Sequence, residues 1–205
     1  VGKVSLGDID ISDDGRYLYI VNLHDRHLYK IDLRDPLNPQ VPTSNEVERF
    51  EIPDLGTISN TDGDGEHRPW GLKFYRGKLY VGVILSGQDA NGHRVSSITA
   101  NGNGADLRGY VVVFDHITEA FSGTPAIDFD FNYGRERPWI PWGYSTAQPN
   151  VDRYFSGRER EIAEPILADI EFDDSGSMLI GMLDRKGHQY AINNHDYAGV
   201  LQDYE

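Results

Sequence analysis

Two stretches of this chain carry one pattern. Leu6-Gly7-Asp8-Ile9-Asp10-Ile11-Ser12-Asp13-Asp14-Gly15 runs into Arg16-Tyr17-Leu18-Tyr19-Ile20-Val21. Leu167-Ala168-Asp169-Ile170-Glu171-Phe172-Asp173-Asp174-Ser175-Gly176 runs into Ser177-Met178-Leu179-Ile180-Gly181-Met182. Without a gap, Asp8 falls on Asp169, Ile9 on Ile170, Ile11 on Phe172, Gly15 on Gly176 and Leu18 on Leu179. A looser copy lies between them: Pro69-Trp70-Gly71-Leu72-Lys73-Phe74, a shortened turn at Tyr75-Arg76-Gly77, then Lys78-Leu79-Tyr80-Val81-Gly82-Val83. In each copy an alternating strand sends its apolar residues (Ile9 and Ile11, Leu72 and Phe74, or Ile170 and Phe172) to one face. The turn glycine adopts positive φ at little cost, and a second strand returns to pair with the first.

A third strand follows two of the copies, Leu28-Tyr29-Lys30-Ile31-Asp32-Leu33 after the first and Gly109-Tyr110-Val111-Val112-Val113-Phe114-Asp115 after the middle one. Both place an apolar residue directly before an aspartate. Antiparallel meanders repeated along a chain are the sequence sign of propeller blades. The expectation is therefore an all-β fold, a partial β-propeller of about three to four blades with long loop insertions. Residues 1–205 form one propeller fragment, with blade-like repeats near 5–33, 68–115 and 165–192. An ordinary β-sandwich with similar hairpins is the competing arrangement.

The spacing is uneven: 63 residues separate Asp8 from Gly71, and 98 separate Gly71 from Asp169. A blade needs roughly 40 to 50 residues, so the excess falls in insertions. Three are assigned, 34–66, 86–108 and 132–164, all rich in Gly, Pro, Asn and Ser. Insertions on a repeat scaffold gather on one face and carry recognition. Three blades do not close a ring of roughly four to eight, and open strand edges invite aggregation. The remaining blades are expected from neighbouring sequence or from another copy. The chain starts at Val1 and enters a strand almost at once, which reads as a piece of something longer.

Composition narrows the function. With 39% hydrophobic and 25% charged residues the chain is globular, and 22 glycines, 10 prolines and 12 tyrosines favour strands and turns. The formal net charge of −14 repels nucleic acid and anionic membranes. The absence of cysteine removes disulfides, thiolate metal sites and cysteine nucleophiles together. No apolar run approaches membrane-spanning length.

The motifs resemble a family of large bacterial surface proteins that join a propeller-like region to SdrD B-like or other immunoglobulin-like repeats. The likeness is carried by Leu6 to Gly15 with Leu18-Tyr19-Ile20-Val21-Asn22, and by Arg68-Pro69-Trp70-Gly71-Leu72-Lys73. It continues in Asn132-Tyr133-Gly134-Arg135 with Trp139 to Trp142, and in Pro165 to Asp174 with Gly181-Met182-Leu183-Asp184-Arg185-Lys186-Gly187-His188-Gln189. Tyr19-Ile20-Val21-Asn22 is also similar to YVTN-type surface-layer propellers. The resemblance implies an exported or cell-surface component, with no reaction and no catalytic residues to carry over. The family's cysteines in the Asn132 to Trp142 insertion are missing here.

The sharpest local chemistry is Asn60-Thr61-Asp62-Gly63-Asp64-Gly65-Glu66. Oxygen side chains at alternate positions, with a glycine at the sixth, match the first half of a calcium loop. The twelfth position is Gly71 rather than a bidentate glutamate, which excludes an EF-hand. A looser Ca2+ loop with Asn60, Asp62, Asp64 and Glu66 as ligands remains, against a solvated acidic loop.

Asp25-Arg26 and Asp184-Arg185 recur with His27 and His188 just beyond. Recurrence fits a turn-locking ion pair better than acid–base catalysis, because an active site is needed once. None of the seven histidines has zinc-binding spacing. Arg135 to Tyr144 gathers Arg, Pro, Trp and Tyr, either as an exposed hot spot or as plugs between blades. Trp70 is expected between blades.

The reading is a noncatalytic exported or cell-surface bacterial scaffold or adhesion module. Its partners are protein or glycan, with no nucleic acid and no membrane insertion in this segment. Two alternatives stay open: a calcium-dependent propeller hydrolase of the lactonase or phytase kind, and a subunit of an extracellular filament or sheath. The hydrolase needs ligands from several blades, and Gly71 breaks the set begun by Asp8 and Asp169.

Overall fold

A computed structural model describes residues 5–35, 37–54, 66–87, 107–131, 133, 139–142, 163–185, 194–195 and 201–202. The strands are β1 (Leu6–Ile11), β2 (Tyr17–Asn22), β3 (His27–Asp32), β4 (Val47–Glu51), β5 (His67–Tyr75), β6 (Lys78–Ser86) and β7 (Leu107–Asp115). They continue with β8 (Ala120–Phe121), β9 (Ile127–Asp130), β10 (Pro165–Phe172), β11 (Met178–Asp184), β12 (Asn194–His195) and β13 (Leu201–Gln202).

Among the described residues the strands pair antiparallel, and Trp139 and Ala163 form an isolated parallel bridge. The first sheet runs β1-β2-β3-β4, and the second runs β5-β6-β7-β8 with β9 also on β7. The third is the β10-β11 hairpin, and β12 pairs β13 separately. None of these sheets closes on itself. The span 34–66 is not wholly insertion, because β4 lies inside it and pairs with β3, Leu28 opposite Phe50.

The second sheet is buried on both sides, which explains the near-continuous apolar runs Leu79 to Leu85 and Tyr110 to Phe114. One face puts Leu72, Phe74, Leu79, Val81 and Phe114 against Tyr19, Val21 and Leu28 of the first sheet. The other puts Ile84, Leu107 and Val111 against Leu167 and Ile170 of the third. Each fully buried side chain of this size stabilises the fold by roughly 1.5–3 kcal/mol.

β1, β5 and β10, the first strands of the three copies, lie in three different sheets and against one another. A β-bulge recurs in all three, between Leu6 and Ile9, Pro69 and Leu72, and Leu167 and Asp169. A bulge bends its strand and frees backbone groups from the ladder. The amide of Leu72 donates to Asp8 Oδ2 at 3.0 Å, and that of Phe74 donates to Asp10 Oδ2 at 2.6 Å. A Cβ on Gly71 would stand 3.0 Å from the amide nitrogen of Asp169 and the carbonyl oxygen of Leu167. Any larger residue would have to push the β10 backbone back by a few tenths of an ångström.

Turn lengths set the register. Arg76 and Gly77 both have positive φ, 51° and 74°, the two-residue hairpin turn whose twist matches its strands. Ile11 pairs with Leu18, whereas Phe172 pairs with Met178, so the third copy's turn is one residue shorter. The gapless alignment therefore holds only up to the turn glycine. Beyond it Leu18 corresponds to Met178, and Tyr19 to Leu179. A one-residue slip moves a side chain to the opposite face, and Leu179 is 56% exposed.

The aspartates that end the third strands do different work. Asp32 receives both Nε (3.1 Å) and Nη2 (2.8 Å) of Arg16 across the β2–β3 pair. That hydrogen bonding draws its pKa down to about 2 from 3.8. Asp115 instead accepts the turn amides of Ile117 and Thr118, at 2.9 Å each.

Two outcomes are expected. Gly71→Val forces a branched side chain into the β5–β10 seam and lowers unfolding free energy by about 1–3 kcal/mol in urea titration. Gly123→Ala, where a Cβ meets nothing within 4 Å, stays within about 0.5 kcal/mol. A low Asp32 pKa contributes stability that is present above the unfolded value and lost as pH falls through about 2. Arg16→Gln returns the Asp32 carboxyl toward 3.8 by NMR titration and moves the acid-unfolding midpoint to higher pH.

Candidate insertion-bearing end

Register places one end of each of the first three sheets together. Leu6, Asn22, His27 and Glu51 align in the first sheet, His67, Leu85, Arg108 and Asp130 in the second, Pro165 and Asp184 in the third. β1, β5 and β10 run side by side in one direction, so the three ends coincide. The described residues that flank 55–65, 88–106 and 143–162 all sit there: Asp54 and Glu66, Gly87 and Leu107, Trp142 and Ala163. The opposite end carries the turns 12–16, 76–77 and 173–177 and the longer β3–β4 connection, 33–46.

Beneath this end, three arginines from three sheets converge on two glutamates and an indole. Trp142 is 1% exposed. Its Nε1 donates to the carbonyl of Pro165 at 2.7 Å and its amide to that of Ser86 at 2.8 Å. The guanidinium of Arg185 lies 4.9 Å from its ring centroid and that of Arg68 5.9 Å, within cation–π range. Arg68 pairs with Glu66, which Arg26 approaches at 3.7 Å. Arg185 pairs with the fully buried Glu164, whose amide donates to Asp184 Oδ1 at 3.0 Å. Burial pushes the Arg68 pKa down, Glu66 opposes the shift, and Arg26 and Arg185 add to it. Arg68 stays charged nonetheless, because its ordinary pKa lies far above neutrality. The cluster joins residues from all three sheets.

A second polar set closes the turn end between the first two sheets. The Tyr19 hydroxyl and His116 Nδ1 are 2.5 Å apart, among Tyr17 and Phe74. Lys30 pairs with Glu119 and Glu48, and its Nζ sits 4.5 Å over the Tyr17 ring. Burial raises the Tyr19 pKa above the usual tyrosine value, so its hydroxyl keeps its proton.

Of the calcium ligands read from sequence, Asn60, Asp62 and Asp64 lie outside the described residues. Glu66 is described, and its carboxylate is engaged by Arg68 and Arg26. Among the described residues no group of three or more His, Cys, Asp or Glu is placed to hold a metal.

The arginines of the two Asp-Arg motifs pair with glutamates that the sequence did not mark as their partners. Asp25 accepts the His27 amide (3.3 Å) and the Tyr29 hydroxyl (2.5 Å), while Arg26 and Arg185 reach Glu66 and Glu164. Within Arg135 to Tyr144, Trp139 and Trp142 are buried; Arg135 and Tyr144 lie outside the described residues. Trp139 Nε1 donates to Tyr133, and its ring meets Phe131 edge-on. Trp70 is partly buried against the core between the first two sheets.

Sequence reading missed Glu66 and Glu164 as a pair, although each stands five residues before the aligned Gly71 or Asp169. Glu164→Ala should lower unfolding free energy by about 3–5 kcal/mol, since it strips a carboxylate from a buried guanidinium. The double variant with Arg185→Met should recover a measurable part of that loss in the same urea titration. Comparison with known proteins finds no matching family model, no matching curated protein and no matching solved structure.

Proposed function

We propose that this chain is part of a β-propeller that serves as a noncatalytic scaffold and binding module in an exported or cell-surface bacterial protein. The observation that carries the reading is the common end: residues flanking three long segments meet over sheets whose first strands converge. Recognition loops on a rigid repeat scaffold follow the same plan. The arginine–Trp142–glutamate cluster supplies the rigidity directly beneath them. The recurring bulge and the convergence of β1, β5 and β10 support radial sheets over a plain sandwich.

A net charge of −14 disfavours nucleic acid, so the partner is a protein or a glycan. Calcium belongs to the same reading. Asn60, Asp62 and Asp64 are its principal ligands, because Glu66 is shared between two arginines.

Replacing residues 88–106 by a short Gly-Ser linker tests the reading on glycan and protein arrays. Loss of the bound spots, with a melting temperature changed by only a few degrees, is the expected result. An unaltered binding profile removes this segment from the recognition surface, and an empty array for the unaltered chain removes the binding function. For calcium, EDTA should lower the melting midpoint; an unchanged midpoint eliminates the metal.

A further inference from the structure

The second sheet has one face on the first sheet and the other on the third, so the first and third sheets each pack one face against it. Leu72 and Phe74 of β5, and Ile170 of β10, are covered by the sheet before them, at 2%, 7% and 0% exposure. Their counterparts on β1, Ile9 and Ile11, are 53% and 44% exposed. At the far end of the series the third sheet leaves Leu179 and Leu183 exposed, on the face that also carries Asp169.

The molecule shows how such faces fit. In the first contact, Tyr19 of β2 stacks on Phe74, ring centroids 5.9 Å apart, beside Asp8 and its bond to the Leu72 amide. Pairing register makes Leu179 the counterpart of Tyr19, Ile11 that of Phe74, Asp169 that of Asp8 and Ile9 that of Leu72. One chain therefore carries both halves of an interface it already uses internally.

We propose that two copies associate head to tail, the third sheet of each against the first sheet of the other, closing one ring of six sheets. Leu179 of one copy packs on Ile11 of the other, and Asp169 faces the Ile9 segment. The Ile9 and Ile11 amides already bond to Asp8 and Asp10 at 2.8 Å, so apolar side chains carry the contact. A head-to-tail contact that does not close grows into a filament; three sheets converging on a common line make closure by two copies the simpler solution. Six lies within the roughly four to eight blades of known propellers. The inference rests on the propeller reading.

Sedimentation equilibrium of the chain at high micromolar concentration tests it. A species of twice 23.1 kDa is expected. Ile11→Asp and Leu179→Asp each weaken the dimer at least about tenfold, while melting as the parent does. The chain has no cysteine, so single variants Ile11→Cys and Leu179→Cys should cross-link with a short bismaleimide only when mixed. A monomer, an open polymer, or cross-linking within either unmixed preparation overturns the ring. A double variant, Lys73→Cys with Glu171→Cys, replaces an ion pair of 2.8 Å between β5 and β10. Its intramolecular cross-linking in a monomer would leave the propeller reading standing while the dimer falls; failure of both would take the two together.

Discussion

Everything in this fold depends on how closely three strands approach where each is bulged. β1, β5 and β10 belong to separate sheets, yet the bulge turns their backbones toward one another. The two seams are built differently. Between β1 and β5, the carboxylates of Asp8 and Asp10 span the gap to backbone amides. Between β5 and β10, the backbones themselves touch, and a Cβ at position 71 would stand 3.0 Å from Asp169 N. The repeat position that holds aspartate in the first and third copies must hold glycine in the second, because β5 alone has a strand packed on each side.

The carboxylate seam has an electrostatic cost. Burial raises the Asp8 pKa, and nearby Asp169 and Asp10 add like charge. The amides of Ile9 and Leu72 oppose that rise by donating to the ionised form. Uncharged acceptors would avoid the repulsion, but a carboxylate offers two oxygens, and Asp8 uses one for its own strand and one for the next. Local turn and long-range contact are thereby held by a single side chain.

Much of this was legible from residues. The copies at Leu6, Pro69 and Leu167 do lie in the leading strands of successive sheets, and the aligned Asp8, Gly71 and Asp169 do fall at a common bulge. Three features were not legible. The alignment gave no sign that the Asp173 to Ser177 turn is a residue shorter, since hairpin register is fixed by backbone hydrogen bonds and not by composition. β4 hid in a polar stretch because its two apolar residues, Val47 and Phe50, stand three apart among Glu48, Arg49 and Glu51 and show no strand alternation. The change from aspartate to glycine at 71 read as a broken ligand set, and its reason is steric crowding from a strand 98 residues away.

The site divides along the same line. Sequence singled out the insertions as candidates for recognition, but it did not bring together Arg68, Arg185, Trp142 and Glu164, which come from three distant segments. Each looks ordinary alone: an arginine in a strand, a glutamate before a proline, a tryptophan in a loop. Their meeting follows from the convergence of β5 and β10, which brings the starts of two strands and the end of a third to one level. A buried charge is tolerated only with its partner in place, so the cluster forms together with the packing of the sheets rather than before it. That coupling makes the cluster a consequence of the strand convergence: any change that spreads β5 from β10 also exposes the guanidinium groups and the indole between them.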